Sequence, residues 1–281
     1  MKPAPFAYAK ARSLAHAIDL LAERGDVRVL AGGQSLIATL NMRLSHPSLL
    51  VDINGVTELD HIVLRDRTLE IGALTRHVQI ERSADIARHA PLLALAVPHI
   101  GHPAIRNRGT IGGSLAFNDP AAELPACLVV LDGEIEIAGP RGTRTVKAEA
   151  FFKDLFDTVL GVGDVLTQVR IPAAGAETRV GFAEFARRHG DYAIAGLAAC
   201  ARAEGKRLAD VRLAYFAVAT KPVRARGAET ALAGGDIEAA VAALAHDLDP
   251  PDDVQTSGSV KRHLAGVLLR RVARQLMEPR P

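Results

Sequence analysis

The sequence is poor in the residues that build metal centres and large aromatic surfaces. It has two cysteines, Cys127 and Cys200, and no tryptophan in 281 residues. Two thiols are too few to ligate an iron–sulfur cluster or a four-cysteine zinc site within the chain, and too few for a disulfide framework. Charge of one sign is also not in excess, because a formal net charge of +2 leaves no basic surplus. Nucleic-acid binding is therefore not expected.

Long apolar runs are missing as well. No stretch approaches the roughly 18 uncharged apolar residues that a membrane span needs, and the first residues lack the apolar segment of a signal peptide. We therefore expect a cytoplasmic protein without a membrane span. With 48% hydrophobic residues, the chain can bury one large core or two modest ones.

The apolar pattern of the N-terminal part predicts mixed helices and strands. An apolar 3.6-residue rhythm after Ser13 predicts a first helix that ends near Gly25. The other elements predicted here are strands over residues 27–30, 49–53 and 69–73, a short helix capped by Thr75, a helix over 91–100, an ordered loop over 101–114, a helix over 121–131, a hairpin turning at 139–142 and a strand over 165–171.

A different pattern begins after Pro172, and residues 173–176 are the best candidate for a domain boundary. Three strands are predicted over residues 182–187, 193–202 and 207–217, followed by helices over 224–233, 237–246 and 259–277. We therefore predict an α+β protein with a domain at 1–172, divided into subdomains at about 1–55 and 56–172. A second domain at 177–281 is predicted to hold a three-stranded antiparallel sheet and a helix bundle.

Two glycine-centred segments are the strongest candidates for a binding site. They are the first glycine loop, Ala31-Gly32-Gly33-Gln34-Ser35, and the second glycine loop, Thr110-Ile111-Gly112-Gly113-Ser114. Tandem glycines allow positive φ, so that consecutive N–H groups can converge on an anion such as a diphosphate, and the hydroxyls add donors. Tight turns chosen only for backbone geometry have the same pattern. Neither loop has the P-loop lysine, and no G-x-G-x-x-G opens a helix. The sequence therefore lacks the residues that define P-loop nucleoside triphosphatases and Rossmann folds.

The two loops resemble the FAD diphosphate loops of the medium subunit of molybdenum hydroxylases. In that family the first loop reads A-G-G-[HQ]-S-L, as in residues 31–36, and a later stretch reads R-N-R-G-T-I-G-G-S, as in 106–114. The markers D-P-A-A-E-L-P and R-R-x-G-D-Y-A stand at 119–125 and 187–193. The resemblance extends from Phe6 to about residue 271.

The resemblance implies an FAD-binding fold of the p-cresol methylhydroxylase (PCMH) and vanillyl-alcohol oxidase type, followed by a C-terminal flavoprotein domain. FAD itself is then the catalytic group, and it is expected to be noncovalent because neither loop carries a histidine or cysteine for attachment; Gln34 stands where many relatives have histidine. The residues implied to hold FAD are Ala31, Gly32, Gly33, Gln34, Ser35, Leu36, Thr110, Ile111, Gly112, Gly113, Ser114, Glu123, Leu166 and Tyr192.

Three of these residues carry specific expectations from the family. Glu123 matches an acidic position that hydrogen-bonds flavin sugar or ribityl hydroxyls, and a solvated helix carboxylate is the alternative. Leu166 matches a residue that packs near the isoalloxazine, although a strand leucine would be buried in any case. Tyr192 matches an aromatic ring placed against the flavin, and an interdomain core tyrosine is the alternative.

The function implied is that of an electron-transfer subunit in a heterotrimeric molybdenum hydroxylase. It would take electrons from the [2Fe-2S] clusters of a small subunit and pass them to an external acceptor, beside a large molybdopterin-binding subunit, in a dimer of heterotrimers. A free-standing flavin oxidase or reductase of the same fold and an assembly subunit that has lost flavin are the alternatives. No metal site is expected at His99 and His102, which lack a helpful third ligand. The charges of Arg106 and Arg108 are expected either near the diphosphate or on the surface.

Overall fold

The computed structural model of the protein describes residues 2–22, 25–205 and 207–277. The chain begins with a small α/β unit whose elements are β1 (Ala7–Lys10), α1 (Leu14–Ala22), β2 (Val27–Leu30), α2 (Leu36–Asn41) and β3 (Leu49–Asp52). The strands form a parallel sheet in the order β1-β3-β2. Since carboxyl ends of parallel strands commonly border ligand sites, the first glycine loop leaves β2 at a favourable edge. The end predicted for the first helix borders residues 23–24, which lie outside the described residues.

The second unit surrounds a five-stranded antiparallel sheet in the order β4-β5-β10-β6-β7. Its elements are β4 (Ile62–Arg65), β5 (Thr68–Gly72), α3 (His77–Arg82), α4 (Ala84–His89), α5 (Pro91–Ala96), α6 (Pro103–Arg106), α7 (Ile111–Phe117), α8 (Glu123–Val130), β6 (Glu134–Gly139), β7 (Gly142–Lys147), α9 (Ala148–Phe151), β8 (Phe152–Asp154), β9 (Asp157–Thr158) and β10 (Val165–Pro172). Helix α8 is buried at every residue, because it lies between this sheet and the C-terminal unit.

The C-terminal unit contains β11 (Thr178–Ala186), β12 (Ala193–Glu204), β13 (Arg207–Phe216), β14 (Val223–Arg224), α10 (Arg226–Ala233), α11 (Ile237–Asp247) and α12 (Gly258–Met277). Its antiparallel sheet has four strands, so the prediction of three strands was wrong. The fourth strand pairs only Val223 and Arg224 with β13, and two residues are too short to produce a period in the sequence. The predicted α+β class, with an FAD-binding-type unit followed by a sheet with packed helices, is confirmed.

Three local predictions also differ from the structure. The loop predicted over 101–114 contains α6 and the first turn of α7, both too short to show an apolar rhythm. Helix α2 was not predicted for the same reason. Thr75 does not cap α3, because the helix begins after Arg76 and the Thr75 hydroxyl donates to the His61 carbonyl at 3.0 Å.

A single apolar cluster joins the second unit to the C-terminal sheet. Residues from α5, α7 and α8 pack in it with Phe182, Ala198 and Phe216 of strands β11, β12 and β13. The other face of the C-terminal sheet packs on α10, α11 and α12. Over the described residues, no helix has both the length and the apolar character needed to cross a membrane.

Candidate functional site

A cavity of about 510 Å³ lies where the three units meet. Its walls include the first glycine loop, the start of α7, the start of α8, the 158–166 segment and the turn at 190–192. This size is typical of a cofactor site. Of the residues predicted to hold FAD, Ile111 does not line the cavity: its side chain is fully buried in the core, and its amide donates to the Thr75 carbonyl at 3.1 Å. A position inside a binding motif does not by itself give the direction of a side chain.

The first glycine loop presents an unbroken row of free backbone donors. The amides of residues 31–36 donate no hydrogen bond to any described residue, whereas the carbonyls of Gly33 and Ser35 accept from Ile37 and Thr39 at the start of α2. Gly33 has φ +73°, a conformation that favours glycine. A Cβ on Gly32 would overlap the Arg108 carbonyl oxygen. Glycine at these positions therefore shapes the loop and lets it lie against the Arg108–Gly109 backbone that leads to the second loop.

The second glycine loop has a different hydrogen-bonding pattern. Its amides at 111–114 all donate within the protein: to the carbonyls of Thr75, Ala73 and Thr110, and to the Thr110 hydroxyl. Only the Thr110 amide in this loop lacks an acceptor among the described residues. A Cβ on Gly112 would lie 2.5 Å from the Ala73 Cβ, so glycine here allows α7 to approach the end of β5. The donors left for a ligand are mainly the hydroxyls of Thr110 and Ser114.

Glu123 lies at the first turn of α8 and lines the cavity. It is only 8% exposed, which excludes the alternative of a solvated helix carboxylate. Burial, with Glu184 and Asp119 nearby, raises the pKa of Glu123 to about 8. The carboxyl therefore holds its proton at neutral pH and can donate a hydrogen bond into the cavity. Burial also raises the pKa of Asp119, whose Oδ1 accepts from the Ala121 amide at 2.9 Å.

Leu166 and Tyr192 both line the cavity, but they differ in exposure. Leu166 is buried in β10 with only 5% exposure. Tyr192 is 63% exposed, so it is not an interdomain core tyrosine. It is one of the residues that line the cavity, and its amide donates to Asp191 Oδ1 at 3.0 Å. Partial burial and the carboxylates of Asp119 and Asp191 raise the pKa of the Tyr192 phenol.

His77 also lines the cavity, and the sequence predicted no role for it. It begins α3 and is 5% exposed, and neither of its ring nitrogens has a partner in the described part of the chain. Burial lowers its pKa to about 4, helped by the charges of Arg106 and Arg76. The ring is therefore a neutral wall of the cavity at neutral pH. A lone histidine without a motif gave no signal in the sequence. Asp119, which also lines the cavity, is the first residue of the D-P-A-A-E-L-P marker.

The arginine pair before the second loop separates into two environments. Arg106 is 8% exposed and forms a bidentate pair with Glu81, with Nε to Oε2 at 2.9 Å and Nη2 to Oε1 at 3.2 Å. Its Nη1 donates to main-chain carbonyls, so its guanidinium is already used within the protein and is not on the surface. Arg108 is exposed.

His99 approaches a carboxylate of the C-terminal unit. Its Nδ1 lies 3.3 Å from Glu184 Oε1, across the boundary between the second unit and β11. Among residues 2–22, 25–205 and 207–277, no group of three or more histidine, cysteine or carboxylate side chains is placed to hold a metal ion.

Both parts of the chain match families of known proteins. Residues 4–174 match the family model described as the FAD binding domain in molybdopterin dehydrogenase, and 181–276 match the CO dehydrogenase flavoprotein C-terminal domain. The chain is 39% identical to the 6-hydroxypseudooxynicotine dehydrogenase complex subunit alpha of Paenarthrobacter nicotinovorans, over 100% of this chain and 98% of the relative. It is 37% identical to the nicotine 6-hydroxylase medium subunit of the same organism, over 96% and 97%.

The fold agrees with these matches. A structure of carbon monoxide dehydrogenase from Hydrogenophaga pseudoflava, lacking the Mo-pyranopterin moiety of its cofactor, superposes with a TM-score of 0.96 at 34% identity, covering 98% of each chain. The expected resemblance is thereby confirmed over both units. The chain belongs to the family of FAD-binding medium subunits of molybdenum hydroxylases.

Proposed function

We propose that this chain holds noncovalent FAD in the cavity and acts as the electron-transfer subunit of a heterotrimeric molybdenum hydroxylase. In this role it takes electrons from the [2Fe-2S] clusters of a small subunit and passes them to an external acceptor. Its relatives are named as medium or FAD-binding subunits of dehydrogenases and hydroxylases, which supports the assignment.

The observation that carries the FAD assignment is the row of free amides at residues 31–36 inside the cavity. Consecutive N–H groups without acceptors suit the oxygens of a diphosphate, because each oxygen can accept several hydrogen bonds. The Thr110 amide and the hydroxyls of Thr110 and Ser114 lie on the same cavity and add donors. When bound, FAD supplies the exchange of one or two electrons that this chain's own side chains cannot perform.

The remaining residues are assigned to the flavin half of the cofactor. Glu123 keeps its proton at neutral pH and donates a hydrogen bond to a sugar or ribityl hydroxyl. Leu166 gives the ring an apolar contact. Tyr192 lies at the mouth of the cavity and covers one face of the ring, which limits the access of water and influences the flavin potential.

The proposed assembly contains a large molybdopterin-binding subunit and a small [2Fe-2S] subunit, arranged as a dimer of heterotrimers in the cytoplasm. The organic substrate binds and is oxidised in the large subunit, so this chain carries no organic-substrate pocket of its own. Co-expression with genes for a large molybdopterin-binding subunit and a small [2Fe-2S] subunit of this family, followed by purification through a tag on this chain and measurement of mass, tests the assembly. Cell fractionation tests the location.

Reconstitution tests the function directly. The purified chain is incubated with FAD, washed and examined by visible absorption, and it should retain one FAD per chain. The isolated chain should not oxidise an organic substrate, whereas the complex should. A chain that takes up no FAD contradicts the proposal, and turnover of an organic substrate by the chain with FAD alone would favour a free-standing oxidase.

A further inference from the structure

Arg106 holds a segment of the second unit that borders the cavity beside the turn carrying Tyr192. Besides its bidentate pair with Glu81, its Nη1 donates to the carbonyls of Pro98, Ile100 and Gly101 at 3.4, 3.2 and 3.0 Å. These carbonyls belong to residues 98–101, which we name the clamped segment. One buried guanidinium therefore holds this segment, which contains only part of a single 3-10 turn.

The clamped segment lies against the turn that carries Tyr192. Gly190 has φ +79°, and a Cβ there would lie 2.8 Å from the Gly101 carbonyl oxygen and 3.0 Å from the carbonyl carbon. The two backbones are thus in direct contact. His99 adds a second contact across the same boundary, through its 3.3 Å approach to Glu184 and its ring 5.0 Å from Phe182.

The turn has little support of its own. Within residues 188–192, the Asp191 amide donates to the Arg188 carbonyl at 3.1 Å, and Arg188, whose side chain is 79% exposed, pairs with Asp191 at 3.4 Å. An exposed ion pair contributes little to stability. Tyr192 itself is mostly exposed. The position of this turn therefore depends on the clamped segment beside it.

We propose that Arg106, held by Glu81, is a positioning residue that sets the turn carrying Tyr192 against the flavin. The guanidinium fixes the Ile100 and Gly101 carbonyls, these fix the contact with Gly190, and Gly190 fixes the start of the turn. A lysine at position 106 would keep the charge but lose the planar fork that makes the bidentate pair and the carbonyl contacts together. This inference rests on the proposed function only where it concerns the flavin; the link between the two loops stands without it.

The first experiment measures amide hydrogen exchange in the full chain without FAD. Arg106→Lys should raise exchange about tenfold in the clamped segment, at residues 99–101 because Pro98 has no amide hydrogen, and in 188–192. Local opening depends on the few contacts that hold each segment. Glu81→Gln keeps the carbonyl contacts and removes only the charge partner, so a smaller rise is expected in the same two segments. It also keeps the test open if Arg106→Lys does not fold.

The matched control is Arg224→Lys. Arg224 forms a similar partly buried bidentate pair with Glu229, with both N to O distances at 2.6 Å, but its side-chain partners are Glu229 and Glu149 and not residues 98–101. Its replacement should destabilise the C-terminal unit without faster exchange at 98–101. If Arg106→Lys accelerates exchange at 98–101 while 188–192 keeps the rate of the unmodified chain, or if Arg224→Lys has the same effect as Arg106→Lys on both segments, the proposed link is wrong.

The second experiment adds FAD to the same variants. FAD content should stay near one per chain, because residues 31–36 are untouched, while flavin fluorescence and the visible circular dichroism of the flavin should change toward those of Tyr192→Ala. If the unmodified chain binds no FAD, the proposed function is refuted. The hydrogen-exchange result then still tests whether Arg106 links the clamped segment to residues 188–192. Variants that bind FAD with the spectra of the unmodified chain refute the positioning role.

Discussion

Replacement of Glu123 by glutamine should stabilise the FAD-free protein at neutral and alkaline pH. The carboxyl is buried at the start of α8, and its pKa is raised from 4.5 to about 8 by burial and by Glu184 and Asp119. An acid whose pKa is raised on folding stabilises the folded state least at high pH. Between pH 4.5 and about 8 the unfolded chain has released this proton while the folded chain keeps it. Stability therefore falls as pH rises through this window and levels off above it.

The magnitude follows from the width of that window. The higher pKa of Glu123 in the folded chain lowers the free energy of unfolding by about 3 kcal/mol at pH 7 and by about 5 kcal/mol above pH 8, relative to pH 4. Each pKa unit is worth about 1.4 kcal/mol. Glutamine has nearly the same shape as a protonated glutamic acid and has no proton to lose. The gain from Glu123→Gln should accordingly be absent at pH 4 and grow to these values.

Urea unfolding of the FAD-free chain at pH 5, 7 and 9, followed by circular dichroism, measures the effect. A suitable control is Glu238→Gln, because Glu238 also lies in the first turn of a helix but is exposed and paired with Arg270. This control should not gain stability with rising pH. A difference between Glu123→Gln and the unmodified chain that stays constant from pH 5 to 9 would refute the protonated carboxyl. FAD content should survive in Glu123→Gln and fall in Glu123→Ala, because only glutamine keeps a donor in the cavity.

Three further outcomes are expected. Precipitation of the FAD-loaded chain with acid should release all flavin into the supernatant, as Gln34 offers no covalent link; flavin in the pellet would contradict this. Gly33→Ala and Gly142→Ala should each cost about 1 kcal/mol of stability, since both glycines have positive φ, but only Gly33→Ala should weaken FAD binding in a fluorescence titration. Tyr192→Ala should leave FAD content near normal, change the flavin spectrum, and slow reoxidation of the complex without slowing its reduction by substrate; unchanged reoxidation and spectrum would remove Tyr192 from the flavin site.

The sequence predicted the elements around the site better than the environments within it. Strands β2 and β10 and helix α12 have clear periods or apolar runs and were located to within a few residues. Helices α2 and α6 have six and four residues, too few for any period to appear. The two-residue strand β14 was missed for the same reason. Short elements of this kind form because residues that are close in space but distant in sequence pack against them. The local sequence therefore does not predict them.

Burial explains the remaining differences at the site. A motif names Glu123, Ile111 and Arg106 but does not say that all three are buried, or that Ile111 turns into the core and Arg106 onto main-chain carbonyls. The raised pKa of Glu123 comes first from burial and then from Glu184 of β11, which is distant in sequence. Nor do the glycine patterns of the two loops reveal that one keeps its amides free while the other uses them to anchor α7.

The residues proposed to bind the diphosphate and those proposed to influence the flavin ring lie in different parts of the chain. The free donors of residues 31–36 and the hydroxyls at Thr110 and Ser114 all precede the C-terminal unit, and they supply the contacts proposed for the diphosphate. The C-terminal unit contributes Tyr192, which is proposed to cover the flavin ring, and Glu184, whose charge helps to raise the pKa of Glu123. Because these two sets of residues belong to different units, substitutions in the turn or in β11 can change flavin properties while the diphosphate contacts persist. Arg106 lies at the junction of the two sets, so its substitution should alter the ring environment without removing the cofactor.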